Sequence, residues 1–341
     1  MTSPITPVRI GLIGAGRIGS SHADVIAKRV PLATLVAVAD PRPGVAAALA
    51  EPLGARGETD PLALFSDPAI DAVVIAASSE AHTDLIVAAA DAGKAVFCEK
   101  PAGLSLADID RALAATASAG VPFQVGFNRR FATDFRAAHD AIASGEIGTV
   151  QLMRSLTRDP GLANPGGVPP WTVFLQTLIH DFDALLWLNP GAEVIEVYAV
   201  ADALVAPEFK DAGLLDTAVV VIKFDNGAIA RAEANFSATY GYDVRGEVFG
   251  SGGMVTAGES ARSSMTLYNA SGIARQTVRG DVELFRDAYT AEFVEFADAV
   301  AQQRAPYVTG EDARAALAIA LACIESVKSG GPVPILTGGL P

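Results

Sequence analysis

The hydrophobic residues in the first part of the chain come in short runs, separated by longer segments that carry polar faces. Each run is β-branched or continuously apolar, as expected of strands that are covered on both sides of a sheet. The intervening segments, such as 80–93 and 105–119, are rich in Ala and fit helices. This alternation predicts a parallel α/β sheet with right-handed crossovers. The five runs are VRIGLIG (8–14), TLVAVAD (34–40), DAVVIAAS (71–78), KAVFCE (94–99) and PFQVGF (122–127).

After residue 127 the pattern changes to alternating strands joined by tight turns. In the clearest case, TAVVVIKF and AIARAEANF flank Asp225-Asn226-Gly227, where Asn-Gly provides the positive φ angles of a hairpin turn. Two helices, at about 287–303 and 310–329, end the chain. We therefore predict an α/β domain at 1–126 and an α+β domain with an antiparallel sheet at 127–341.

Composition narrows the class of protein. The length of 341 residues suits two domains, and 25 basic against 39 acidic residues give a net charge of -14 that disfavours nucleic acid and membrane partners. The longest apolar run, 315–324, is too short to span a bilayer, and the first residues do not read as a signal peptide. Cys98 and Cys323 have no spacing typical of a disulfide framework or a zinc site. We expect a cytoplasmic protein without a metal.

The sequence GLIGAGRIG places three glycines in G-x-G-x-x-G spacing between the first strand and a helix, which is typical of a dinucleotide pyrophosphate site. Asp40 ends the second strand, where a carboxylate accepts hydrogen bonds from the adenosine ribose. This acid repels a 2′-phosphate and favours NAD over NADP, although Arg42 would soften the preference. The residues predicted to bind the cofactor here are Gly14, Gly16, Arg17, Ile18, Gly19, Asp40 and Arg42.

Lys100, in CEKP, follows the strand at 94–99 and therefore lies at the carboxyl edge of the sheet, where open parallel sheets bind their ligands. Beside Glu99 and the apolar strand, partial burial would lower the pKa of Lys100 and make it a usable proton carrier. The alternative is a surface lysine in the turn before Pro101.

These motifs, together with GFNRRF (126–131), HDFD (180–183) and SGGPVPI (329–335), resemble the Gfo/Idh/MocA oxidoreductase family, and most closely its inositol 2-dehydrogenase branch. The resemblance covers nearly the whole chain in the expected order. It implies a Rossmann domain that binds NAD, a second domain whose large open sheet forms the substrate wall and the oligomer contact, and a homotetramer. It also implies catalytic roles for Lys100 and His180. Ser78, Ser79, His82 and Glu99 join Lys100 near the cofactor.

One position departs from that branch. Inositol dehydrogenases carry an aspartate four residues before the helix histidine, and here the residue is Gln176. Oxidation of a hydroxyl needs a base, and an amide cannot accept that proton. We expect His180 to be the main acid and base, Lys100 to polarise the reacting oxygen, and Gln176 to bind substrate. Asp183 either orients His180 or, like Asp181, is a solvated or sheet-packed carboxylate.

A ring polyol needs several hydroxyl-binding side chains and an aromatic face. The resemblance supports Tyr242 in particular. Ion pairing is an equal alternative for Arg130, and His22 fits a packed or capping residue. The loop from Asp159 to Trp171 is longer than the corresponding run in the inositol branch. A larger substrate, such as a glycoside or an anhydrosugar, is therefore an alternative to an inositol. The predicted substrate-binding residues are Asn128, Arg129, Asn164, Trp171, Gln176, His180, Tyr242 and Tyr289.

Three functions are compatible with these residues. The leading interpretation is an NAD-dependent dehydrogenase that oxidises a secondary hydroxyl of a cyclic polyol or sugar, such as an inositol, pyranose or anhydrosugar, to a ketone. The first alternative is an NAD-requiring glycosidase that oxidises and re-reduces its substrate. The second is a non-catalytic protein that senses sugar or NAD. Gln176 favours the sensor, whereas the retained Lys100 and His180 oppose it.

Overall fold

The parallel sheet predicted for the first part of the chain is present in the computed structural model, which describes residues 6–335. Its six strands lie in the order β3-β2-β1-β4-β5-β6, all parallel. This order is that of a Rossmann fold, whose ligand crevice opens where the order reverses, between β1 and β4. The strands are β1 (Val8–Ile13), β2 (Ala33–Ala39), β3 (Arg56–Glu58), β4 (Ala72–Ile75), β5 (Ala95–Cys98) and β6 (Phe123–Val125), and the helices are α1 (Arg17–Arg29), α2 (Val45–Ala50), α3 (Leu62–Ser66), α4 (Ser79–Asp91) and α5 (Leu106–Ala119).

The chain divides into two units by its contacts. The N-terminal unit runs through Phe131 and also includes Asp287–Arg314, whereas the C-terminal unit contains Ala132–Arg286 and the chain from Ala315 onward. This division differs from the simple boundary after residue 126. The reason is helix α9 (Arg286–Gln302), which places Phe293 and Phe296 in the core of the first unit.

The C-terminal unit contains a seven-stranded sheet of order β12-β11-β7-β10-β9-β8-β15. Every neighbouring pair is antiparallel except β7 and β10, which confirms the mostly antiparallel sheet. The predicted hairpin joins β9 to β10, and Gly227 has a φ of 88°. The strands are β7 (Val150–Arg158), β8 (Val194–Asp202), β9 (Thr217–Phe224), β10 (Ile229–Asn235), β11 (Asp243–Gly250), β12 (Gly253–Ala257) and β15 (Val333–Pro334), with a separate hairpin of β13 (Ala261–Asn269) and β14 (Gly272–Thr277).

The helices of this unit cover one face of the sheet. A π-helix at Val173–Leu178 leads into α7 (Ile179–Trp187), which packs on β7 and β10. The hydroxyl of Ser326, in α10, accepts a hydrogen bond of 2.9 Å from the backbone N–H of Ala199 in β8. The remaining helices are α6 (Thr133–Ala143), α8 (Asp281–Leu284) and α10 (Gly310–Ser329). Of these, α10 begins in the N-terminal unit, which ends at Arg314. Between residues 6 and 335, no helix has the length and apolar character needed to cross a membrane.

Candidate active site

The three glycines between β1 and α1 have different surroundings. A Cβ on Gly14, whose φ is 99°, would lie 2.4 Å from the Ala76 carbonyl oxygen, and one on Gly19 would lie 1.9 Å from the Gly14 carbonyl oxygen. Both positions therefore need glycine for packing. A Cβ on Gly16, at the N-cap of α1, would meet no atom within 4 Å. This open space at a helix N-terminus fits a pyrophosphate.

Asp40 lies immediately after β2 and connects to the glycine turn. Its Oδ2 accepts a hydrogen bond of 2.9 Å from the backbone N–H of Ala15. The Arg42 guanidinium donates to both carboxylate oxygens at 2.8 Å. These side-chain hydrogen bonds hold the pKa of Asp40 well below its usual range, although burial acts in the opposite direction. The protein thus presents an ionised carboxylate beside the glycine turn, as a ribose-binding acid requires.

Glu99 and Lys100 follow β5 at the carboxyl edge of the sheet, as predicted. Glu99 is buried, and its Oε1 lies 2.7 Å from Nε2 of His22, which is itself fully buried. Burial alone would raise the pKa of Glu99, but the hydrogen bond to His22 and the charge of Lys100 together lower it. Glu99 is therefore an ionised group under the turn that carries Lys100. His22 is packed, as expected, but its pairing with Glu99 was not anticipated.

Glu292 is a buried acidic residue near Glu99 that the sequence analysis did not identify. It lies on α9, one turn from Tyr289 and beside Phe293, on the face that packs into the N-terminal unit. It is completely buried, and among the residues described neither carboxylate oxygen has a hydrogen-bond partner. Burial, and then the negative charge of Glu99, raise the pKa of Glu292 well above its usual value. In the sequence, Glu292 could have been recognised as an acidic residue at a position of α9 where the helical spacing predicts an apolar one.

Glu292→Gln is expected to stabilise the protein at alkaline pH. A carboxyl group with a raised pKa in the folded state contributes most below its unfolded pKa, near 4.3, and loses that contribution as pH rises toward the folded value. Over that range each pH unit costs about 1.4 kcal/mol, a cost that glutamine escapes. Thermal unfolding should give the variant a Tm several degrees above wild type at pH 8, with a gap that narrows toward pH 5. A constant gap, or none, would mean that Glu292 is ionised. Glu51→Gln, at an exposed position of the same unit, is the control.

His82 lies on α4 and bridges two loops at the same edge of the sheet. Its Nδ1 is 2.8 Å from the carbonyl oxygen of Pro101, and its Nε2 is 3.1 Å from that of Ala77. Burial lowers its pKa, so the ring is neutral and can donate to only one of the two carbonyls. Ser78 is the N-cap residue of α4, and Ser79 is its first residue. His82 thus fastens the loop after Lys100 in place.

His180 is the second residue of α7, directly after the π-helix that contains Gln176. In a continuous α-helix a spacing of four residues would place Gln176 and His180 on one face, and the π-helix changes the rotation between them. Isolated π-helical turns are frequent at functional sites. Asp181 is fully buried and accepts hydrogen bonds from the hydroxyls of Ser155 (2.5 Å) and Thr157 (2.7 Å) on β7. It is therefore the sheet-packed carboxylate of the two alternatives, and it fixes α7 on the sheet. Asp183 is also fully buried.

The remaining predicted residues are distributed over both units. In the N-terminal unit Asn128 and Arg129 are buried, and Arg130 donates a hydrogen bond of 3.0 Å to Asp312, which confirms its ion-pairing alternative. Tyr289 is buried with its ring 5.3 Å from that of His22 in an edge-on contact. The predicted catalytic residues are likewise divided, with Lys100 in the N-terminal unit and His180 in the C-terminal unit.

In the C-terminal unit, Trp171 ends the Pro/Gly loop in a strained conformation. Its φ is 61°, a value that non-glycine residues rarely adopt, and the ammonium group of Lys328 lies 5.6 Å from the centre of its ring. Asn164 is exposed in the same loop, and Tyr242 is partly buried just before β11, with its backbone N–H bonded to the Val278 carbonyl oxygen at 2.8 Å. Strain of this kind is typical of binding segments. Within residues 6–335, no group of three or more His, Cys, Asp or Glu side chains is arranged to hold a metal ion.

Two family models match the chain. One, described as an oxidoreductase family with an NAD-binding Rossmann fold, covers residues 8–127. The other, the C-terminal alpha/beta domain of the same oxidoreductase family, covers residues 139–335. The glycine turn and Asp40 fall in the first match, and the cofactor of the protein is NAD.

The chain is also similar over almost its full length to inositol 2-dehydrogenases. It is 38% identical over 329 residues to a myo-inositol 2-dehydrogenase of Thermotoga maritima, covering 94% of this chain and 96% of that protein. It is 35% identical over 335 residues to a scyllo-inositol 2-dehydrogenase (NAD(+)) of Bacillus subtilis, with 96% of both chains covered. The crystal structure of scyllo-inositol dehydrogenase from Lactobacillus casei, with bound NAD(H) and scyllo-inositol, superposes with a TM-score of 0.90 at 30% identity, covering 97% and 99% of the two chains.

Proposed function

We propose, on the basis that this chain belongs to the Gfo/Idh/MocA oxidoreductase family, that it is an NAD-dependent dehydrogenase of a cyclic polyol of the inositol class. In this proposal the enzyme oxidises one secondary CH–OH group to a ketone. The observation that carries the proposal is similarity over both domains to inositol 2-dehydrogenases, one of them with NAD(H) and an inositol bound. The retention of Lys100 and His180 supports catalysis over a sensing role.

In this proposal each of these residues has a defined role in binding or catalysis. NAD, when bound, would supply the hydride acceptor; the turn at Gly14, Gly16 and Gly19 would hold its pyrophosphate, and Asp40 would hold its ribose. The polyol hydroxyl loses its proton to the imidazole of His180 as the C–H bond breaks. The ammonium group of Lys100 donates a hydrogen bond to the reacting oxygen and stabilises the negative charge that develops there.

Gln176 and the loop before Trp171 determine which substrate binds in this proposal. The Gln176 amide both donates and accepts hydrogen bonds, so it suits a ring hydroxyl at a position where an aspartate would add charge. Trp171 supplies an apolar face for the C–H side of the ring. The polyol-binding set is completed by Asn128, Arg129, Asn164, Tyr242 and Tyr289.

Parallel assays of two products test the reaction class. NADH formation should be measured on inositols, pyranoses and anhydrosugars, and release of nitrophenol on the corresponding nitrophenyl glycosides, with and without added NAD. The proposal expects NADH in amounts equal to the ketone formed and no release of nitrophenol. Nitrophenol release that depends on NAD without net NADH would identify the glycosidase instead. Tight NAD binding with neither product would favour the sensor.

One face of the seven-stranded sheet carries exposed apolar side chains, which supports the homotetramer that the family resemblance implies. The register pairs Tyr198 with Val221 and Val200 with Val219, so these side chains point to the same face, and each is at least 40% exposed. Leu152 pairs with Phe249 and with Ile229, and Phe249 pairs with Met254, which extends the exposed apolar residues across the sheet. The ion-paired Arg154, Arg231 and Glu233 lie on the same face between these apolar residues, and a face of this mixed character is typical of a protein interface. A second copy of the chain covers it in this proposal.

Light scattering tests the assembly. The proposal expects a mass of four times the 35.1 kDa chain. Val219→Glu should lower the mass, because it places a second carboxylate beside Val200 and opposite Glu233 on the exposed face. Leu62→Glu, at a leucine that is 58% exposed on the N-terminal unit, should leave the mass unchanged. A monomer in the wild type would overturn the proposal.

The cysteines support a reducing, cytoplasmic location, which we also propose. Cys98 in β5 and Cys323 in α10 are both buried and free. Burial raises the pKa of both thiols, so neither is a reactive thiolate at neutral pH.

A further inference from the structure

The Asp40 carboxylate is fully engaged by donors of the protein itself. Its Oδ1 accepts from the backbone N–H of Arg42 at 3.0 Å and from Nε of Arg42 at 2.8 Å. Its Oδ2 accepts from the backbone N–H of Ala15 at 2.9 Å and from Nη2 of Arg42 at 2.8 Å. A carboxylate offers about four acceptor positions. The Asp40 carboxylate, which must accept hydrogen bonds from the ribose hydroxyls, therefore has no acceptor position left for them.

Only one of these donors is free to move. The two backbone N–H groups belong to the turns after β1 and β2, so they stay where the fold places them. The Arg42 side chain is 61% exposed, whereas the Asp40 side chain is 5% exposed. A ribose that hydrogen-bonds to Asp40 must therefore displace the Arg42 guanidinium.

We propose that Arg42 competes with the cofactor for Asp40 and thereby sets the cofactor preference. While the guanidinium is bound to Asp40, it weakens NAD binding, because NAD must break two charge-assisted hydrogen bonds to enter. Once displaced, the guanidinium is a planar donor that matches the geometry of a phosphate. Arg42 therefore lowers the affinity for NAD and raises the affinity for NADP, although Asp40 keeps NAD preferred. The inference concerns the cofactor alone and holds whichever polyol is oxidised.

Calorimetric titration of Arg42→Ala with NAD and with NADP tests this inference without a substrate. The Kd for NAD should fall about twofold to fivefold, in keeping with the loss of a partly exposed ion pair. The Kd for NADP should rise by about tenfold or more, because a charge-assisted contact to the 2′-phosphate is lost. The two shifts have opposite signs, which a general disturbance of the site would not produce.

Two further variants make the test specific. Arg9→Ala removes the guanidinium that contacts both oxygens of Asp71 at the amino end of β1, the opposite edge of the same sheet, so it controls for the loss of one positive charge. It should leave both Kd values unchanged. Arg42→Lys keeps the charge without the two-pronged contact, and should tighten NAD binding while it retains part of the affinity for NADP.

Three other results of the titration would contradict all or half of the proposal. Weaker NAD binding by Arg42→Ala would mean that Arg42 contacts the bound cofactor favourably, and it would overturn the proposal. Unchanged NAD binding would show that Arg42 does not compete for Asp40. Unchanged NADP binding would show that the guanidinium does not reach the 2′-phosphate, and would overturn that half of the proposal.

Discussion

Replacement of His180 by alanine is expected to lower kcat for polyol oxidation by about 100-fold or more, since a positioned acid or base contributes roughly that factor. Lys100→Ala should cause a loss of similar size, because the developing alkoxide loses its donor. The Kd for NAD, measured by calorimetry, should change little in His180→Ala. The reason is that the glycine turn and Asp40 belong to the N-terminal unit, whereas His180 belongs to the other.

Matched controls separate chemistry from folding. His139→Gln alters a histidine of α6 that stacks on Trp187 with ring centres 4.3 Å apart, and Lys28→Ala alters an exposed lysine at the end of α1. Neither residue belongs to the proposed site, so both variants should retain kcat within about twofold of wild type. Activity of His180→Ala or Lys100→Ala within a few-fold of wild type would refute the assigned roles.

The glycine turn gives the second large effect, and it separates binding from stability. Gly16→Ala places a methyl group in open space at the N-cap of α1, so the Tm without cofactor should stay within a few degrees of wild type. The same methyl group enters the space proposed for the pyrophosphate. The affinity for NAD should therefore fall by about tenfold or more, since the close backbone approach is lost.

Gly19→Ala should instead lower the stability of the protein without cofactor. Its Cβ would lie 1.9 Å from the Gly14 carbonyl oxygen, a backbone atom of the adjoining turn, and α1 would have to shift away from β1. Overpacking of this kind costs about 1–3 kcal/mol or more, so the Tm itself should drop. Thermal unfolding with and without NAD measures both quantities for each variant. Equal losses of stability in the two variants would contradict the distinct roles of these glycines.

The parts of the fold that the sequence predicted depend on local patterns. Continuous apolar runs located the strands around β1, β2, β4, β5 and β6, and Asn226-Gly227 identified the hairpin turn. Strand β3 was missed because it has only three residues, Arg56–Glu58, none of them apolar. The π-helix at Val173–Leu178 was missed because a shift of backbone hydrogen bonds leaves no mark in hydrophobic spacing.

The parts that escaped prediction depend on contacts between distant segments. His22 in α1 and Glu99 after β5 are 77 residues apart, and they meet only in the folded structure. The side-chain amide of Gln124 in β6 donates to the Glu292 carbonyl oxygen at 3.1 Å, across 168 residues. That contact helps to explain why Asp287–Arg314 belongs with the N-terminal unit. The Arg42 side chain was expected near the cofactor, but the sequence did not reveal that Arg42 and Ala15 together occupy the acceptor positions of Asp40.

Transfer of deuterium to the cofactor tests the central claim most directly. The purified protein should be incubated with NAD and with myo- and scyllo-inositol deuterated at every ring carbon, and the reduced cofactor examined by mass spectrometry. The account predicts one deuterium in each NADH, in amounts equal to the ketone formed. Reduced cofactor without deuterium, or no reduction of NAD by either inositol, would contradict it.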